Sequence, residues 1–154
     1  MVDALMDRLN RTIRQYDAYA RMIRERGMIP GLSTHLPDSV VIADESGADV
    51  ESYIQLFNAA GFLMPVEVDW AMRVIERAAK PVMTIKPLAA GRINPPTGLG
   101  FAFANIKPTD VVCIGLLCEE EAEEDLEVTH QILAGLQTQV ELQYTRSKAA
   151  LVES

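Results

Sequence analysis

PVMTIKPLAAGRI, residues 81–93, holds a short apolar run, Val82 to Ile85, followed at once by Lys86, Pro87, two alanines, Gly91 and Arg92. An unbroken apolar run of this length between turn residues reads as a strand buried on both faces, the pattern of parallel sheets in α/β proteins. Such proteins place their chemistry outside the carboxyl ends of the strands. A lysine and an arginine at that end, separated by small residues that allow close approach, make it the first candidate site.

Outward from this run the same unit repeats. Strands are expected over Met28–Leu32, Val50–Phe57, Val82–Ile85 and Val111–Leu116. Helices alternate with them at 38–45, 69–79 and 96–105, and again from Glu119 past His130. Acids in a first turn complement the helix dipole, so Glu119 to Glu124 read mainly as a solvated helix start. Ahead of the strands, Leu5, Leu9, Ile13, Tyr16, Met22 and Ile23 recur at roughly helical spacing, which predicts one amphipathic helix over 3–26 stopped by Gly27. Gly135 interrupts the last long helix, and a final helical segment is expected near Val140–Ala150. Alternating strands and helices imply a parallel sheet with right-handed crossovers. A (βα)8 barrel needs about 250 residues, and the 154 here supply half of one. The expected class is therefore α/β, as a single domain over 1–154. Its parts are a leading helix at 1–27, four βα units over 28–135 and a helical tail over 136–154.

The net charge of −8 argues against a nucleic-acid partner, which needs clustered Lys and Arg. No stretch approaches the roughly 18 apolar residues of a membrane span, and the first residues lack the apolar core of a secretory signal. Cys113 and Cys118 suit neither a disulfide framework nor a zinc knuckle, so they read as free thiols in a reducing compartment. The cytoplasm is the expected location. Neither GxGxxG after the first strand nor GxxxxGK[ST] occurs, so these dinucleotide and phosphate loops are not indicated.

Four segments carry a likeness. They are GLSTHLPDSVVIADESGADV at 31–50, QLFN at 55–58, IKPLAAGRI at 85–93 and VCIGLLCEEEAEEDLE at 112–127. Together they resemble the C-terminal half of the aldo-keto reductase family, a (βα)8 barrel. The resemblance implies that Ser33 and Thr34 contact a nicotinamide carboxamide and that Glu124 and Asp125 contact adenine. Gly115, Leu116 and Glu121 fall where cationic residues would grip an NADP 2′-phosphate, so the cofactor is left open, with NAD allowed and NADP disfavoured. The family's Asp-Tyr-Lys-His catalytic set belongs to the other half of the barrel.

Read from chemistry alone, Lys86 is a candidate Schiff-base nucleophile if desolvated, and otherwise an anion-binding cation. Gly91 and Arg92 would let backbone approach a ligand while the guanidinium grips a carboxylate or phosphate. His35 is a candidate general base, or one metal ligand with Asp49 or Glu51. Asn58 and Gln55 offer polar contacts at a strand end. The four residues His35, Asn58, Lys86 and Arg92 would surround a small carbonyl or anionic substrate. An open parallel sheet exposes edges that proteins normally cover. A homodimer completing the barrel is thus expected, or else a separate N-terminal half; the first helix and the Phe62–Met64 loop are alternative covers. A non-catalytic binding or assembly module predicts the same association.

Overall fold

The structure, a computed structural model, describes residues 2–143. Four strands, β3 (Gly31–Thr34), β4 (Ser52–Leu56), β5 (Val82–Ile85) and β6 (Val111–Cys113), form one all-parallel sheet in the order β3-β4-β5-β6. Five helices alternate with them: α1 (Tyr16–Arg24), α2 (Pro37–Ser46), α3 (Val68–Arg77), α4 (Pro95–Ala104) and α5 (Glu119–Leu133). The four βα units expected from the sequence are present, joined in the sequential order of a half-barrel.

Sequential order decides how the sheet is covered. When each strand lies beside its predecessor and every crossover has the same hand, all helices fall on one face. Register places Leu32, Tyr53 and Val82 side by side on that face, with Thr34, Gln55 and Thr84 in the next row. All six are buried, and the apolar three join a core with Tyr16 and Ala20 of α1, Val40 and Ala43 of α2, and Ala71 and Ile75 of α3. Tyr53 donates to Asp44 Oδ1 of α2 at 2.5 Å, and Asp44 Oδ2 accepts the Ala79 amide at 3.0 Å beyond α3. That carboxylate ties the sheet to two helices. Burial and its bond to Asp44 hold the Tyr53 phenol well above the usual range.

The opposite face carries Gly31, Ser33, Ser52, Ile54, Met83, Ile85, Val111 and Cys113. No helix lies over it among the described residues: Met83 is 36% exposed and Val111 50%. Of that face only Leu56, at the last position of β4, is fully buried.

The leading segment departs from the expected single helix. A short 3-10 turn at Asp3–Leu5 precedes an antiparallel hairpin of β1 (Met6–Asp7) and β2 (Thr12–Ile13), and the helix is confined to α1. The cause is local polar bonding. Asp7 accepts from the Asn10 amide at 3.1 Å and from its side chain at 2.9 Å, closing a turn that competes with helix. Leu9, spaced to suit a helix face, stands 96% exposed at the hairpin tip. Gln15, with φ of 60°, breaks the chain before α1.

Three strands are displaced or shortened, β4 losing Val50 and Glu51 at its start and Phe57 at its end. β3 begins at Gly31, three residues later than expected, and Met28 and Ile29 stay exposed before Pro30, which has no N–H to donate. β6 stops at Cys113 because its partner β5 ends at Ile85, where Lys86 turns to φ of 60°. Val140–Gln143 are not helical, and the rest of the expected final helix lies outside the described residues. No helix among the described residues is long and apolar enough to cross a membrane.

Candidate functional site

The carboxyl end of β5 is built from strained backbone. Lys86, Ala89, Ala90 and Gly91 have φ of 60°, 50°, 56° and 77°. Left-handed backbone costs a residue with a Cβ about 1–2 kcal/mol, so the surroundings must hold this loop. The amides of Gly91, Arg92 and Ile93 all donate to Leu88 O, at 3.0, 3.1 and 3.2 Å. Against the outside of the loop lies α4, and a Cβ on Gly98 would stand 2.8 Å from Pro87 O. Asn94 opens that helix by accepting from the Thr97 amide at 3.2 Å.

Arg92 is engaged by the loop that follows the neighbouring strand β4. Its guanidinium lies 4.0 Å from the Phe62 ring centroid, and Nη1 donates to Ala89 O at 3.2 Å. A cation over an aromatic face is attracted by the ring quadrupole, so Arg92 locks two loops together. The backbone of Gly91 and Arg92, expected to approach a ligand, has its amides engaged by the loop's own Leu88 carbonyl.

Beside the loop, between the carboxyl ends of β5 and β6, lies a cleft of about 420 Å³ lined by Lys86, Leu88, Gly91, Gly115, Leu117 and Glu121. Lys86 is exposed, and among the described residues no carboxylate lies within ion-pair distance of its ammonium. Glu121, in the first turn of α5, accepts the Leu117 amide on Oε2 at 2.8 Å. Gln143 reaches back to the same wall, donating to Glu121 O at 3.3 Å and to Asp125 Oδ1 at 2.8 Å.

The other expected residues are held elsewhere. Thr34 donates to Asp3 Oδ1 at 2.5 Å, and the His35 amide donates to both oxygens of Asp3, at 3.2 and 3.3 Å. His35 follows β3, two strands from β5, which is about 10 Å across the sheet. Of the four residues expected around one substrate, Asn58 and Arg92 both meet Phe62, while His35 stands two strands from Lys86. The structure does not join His35 to Asp49 or Glu51. Those acids flank the amino end of β4, where Arg24 pairs with both and binds Glu51 Oε1 at 2.7 Å. Arg24 holds the Asp49 carboxyl below its usual range. The Asn58 amide is closed onto one residue, accepting from Phe62 N at 2.8 Å and donating to Phe62 O at 3.0 Å.

Ser33 lies on the bare face, and its carbonyl accepts the Val2 amide at 2.9 Å, so the N-terminal segment occupies part of the outer edge of β3. Glu124 accepts from the amides of Glu141, Leu142 and Gln143 at 2.6, 2.8 and 3.1 Å. Asp125 is buried, with Oδ2 unpartnered among the described residues. Burial pushes its carboxyl up, and Glu124 and Glu121 add to this, while the Gln143 bond opposes it. Both cysteines are free and exposed.

Glu121 is the cleft residue that sequence reasoning sets aside as a solvated helix acid. Its signal is topological: α5 follows β6, which pairs with β5, so the first turn of α5 comes beside Lys86. Comparison with known proteins finds no matching family model, no matching curated protein and no matching solved structure.

Proposed function

We propose that this chain is a half-barrel ligand-binding module that works as a twofold pair. The bare sheet face is covered by the same face of a second copy, and a small molecule is taken on Lys86 where β5 and β6 end. The observation that carries this reading is the apolar, helix-free face of Ile54, Met83, Ile85 and Val111. The face is free of charge, so two chains of net charge −8 can approach there with least repulsion. Its relief also suits a twofold axis parallel to the strands. Such an axis sets the small Gly31 and Ser33 of β3 opposite Val111 and Cys113 of β6, and Ile54 opposite Met83 and Ile85. Large side chains then fill the centre while small ones let the edges close. Because Val2 occupies the β3 edge at Ser33, the copies meet through their faces, about 10 Å apart, rather than through a continuous strand ladder.

Sedimentation velocity across a concentration series tests the pairing. A dimer is expected, with Ile54→Asp converting it to a folded monomer. A wild-type monomer at high concentration overturns the pair and leaves a separate barrel half as the cover. Borohydride reduction with a small ketone separates binding from covalent chemistry. An adduct on Lys86 would show that its amine attacks the carbonyl carbon with loss of water. Without an adduct the lysine is a binding group.

A further inference from the structure

Opposite charges that share a cleft usually pair with each other. Lys86 and Glu121 line the same cleft at the ends of β5 and β6, yet they form no ion pair. Glu121 uses Oε2 to hold the Leu117 amide, and Oε1 accepts nothing among the described residues. Gly91 and Gly115 narrow neither wall with a side chain, and Leu88, Leu117 and Leu142 supply apolar surface.

We infer that the cleft takes a small zwitterion: an amino acid or similar aminocarboxylate with an apolar side chain. Its carboxylate lies on Lys86 and its ammonium on Glu121. The inference rests on the proposed ligand site and names its substrate class. A simple anion on Lys86 would face Glu121 across the cleft, with Glu119 and Glu120 in the same helix turn and a chain of net charge −8 behind them. A ligand carrying both signs turns that repulsion into attraction. The volume of about 420 Å³ is within the range of small-ligand sites, roughly 300–1,000 Å³.

The test is calorimetric titration of the full chain with three probes. They are leucine, 4-methylpentanoate, which lacks the amine, and 3-methylbutylamine, which lacks the carboxylate. Leucine should bind, and each single-ended analogue should bind at least tenfold more weakly. Lys86→Met should abolish binding of leucine and of the carboxylate. Glu121→Gln keeps an oxygen for the Leu117 amide, so the fold is retained, and it should weaken leucine about tenfold while leaving the carboxylate unchanged or tighter. If the carboxylate binds as well as leucine and Glu121→Gln changes neither, the zwitterion is overturned and the Lys86 anion site stands. If none of the probes binds, both are overturned.

Discussion

The two faces of the sheet are nearly alike in hydrophobicity and opposite in fate. On one, Leu32, Tyr53 and Val82 are fully buried under helices; on the other, Met83 and Val111 are exposed. Apolar residues on both sides of a strand record that both faces are to be covered. Strand order says whether the chain does the covering itself. In a sheet whose order is β3-β4-β5-β6, one-handed crossovers place every helix on one side, and among the described residues the other face is left without a helix.

The largest effects should therefore separate by face. Leu32→Ala removes a side chain from the helix-covered core and should cost about 2–5 kcal/mol. Met83→Ala, one strand position from the buried Val82, should leave the unfolding stability of dilute protein almost unchanged while raising the dissociation constant of the pair. Urea denaturation at low concentration reads the first quantity and sedimentation reads the second. Equal losses in urea would erase the distinction between the faces.

A second contrast runs between the strained loop and the helix that props it. A Cβ on Gly98 would meet the Pro87 carbonyl at 2.8 Å, and a backbone atom cannot swing aside. Gly98→Ala should destabilise by about 1–3 kcal/mol, the usual cost of overpacking. Ala90 is exposed at φ of 56°, so Ala90→Gly should act in the opposite sense and stabilise by up to about 1 kcal/mol. Thermal unfolding of the two variants checks both signs. A destabilised Ala90→Gly would mean that the loop is not held against its own preference.

How much of this was legible in the chain follows the same physics. β5 lies over Val82–Ile85 as the apolar run predicts, because four consecutive apolar or β-branched residues between prolines leave little choice. The hairpin at 6–13 was hidden because Leu5, Leu9 and Ile13 carry helical spacing, whereas the Asp7–Asn10 bonds that break it are set by turn geometry. In the cleft lining, the place of Lys86 directly after a strand was legible. The contacts of Arg92 and Asn58 were not, since both meet Phe62, whose place is fixed by how two loops pack. The resemblance touched Glu121 only as a poor NADP contact, and its place beside Lys86 became visible once β6 was known to pair with β5.

The smallest expected effect probes the covered side, which is not uniformly apolar. Asp125 is buried among α5 and its neighbours with one oxygen unpartnered, and burial raises its carboxyl above the ordinary value of 3.8. Below that value both folded and unfolded chains hold the proton, and this group's contribution is at its most favourable. As pH rises towards and through the folded value, the unfolded chain releases the proton first, so stability falls. Asp125→Asn keeps an oxygen for Gln143, which donates to Oδ1 at 2.8 Å, and removes the charge. The variant should match the wild type near the acid end and exceed it at neutral pH, seen as a Tm difference that widens as pH rises. A Tm difference that does not change with pH would show that the Asp125 carboxyl titrates as it does in the unfolded chain. The covered side would then tolerate a charge as readily as solvent does, and the contrast between the two faces would narrow to packing alone.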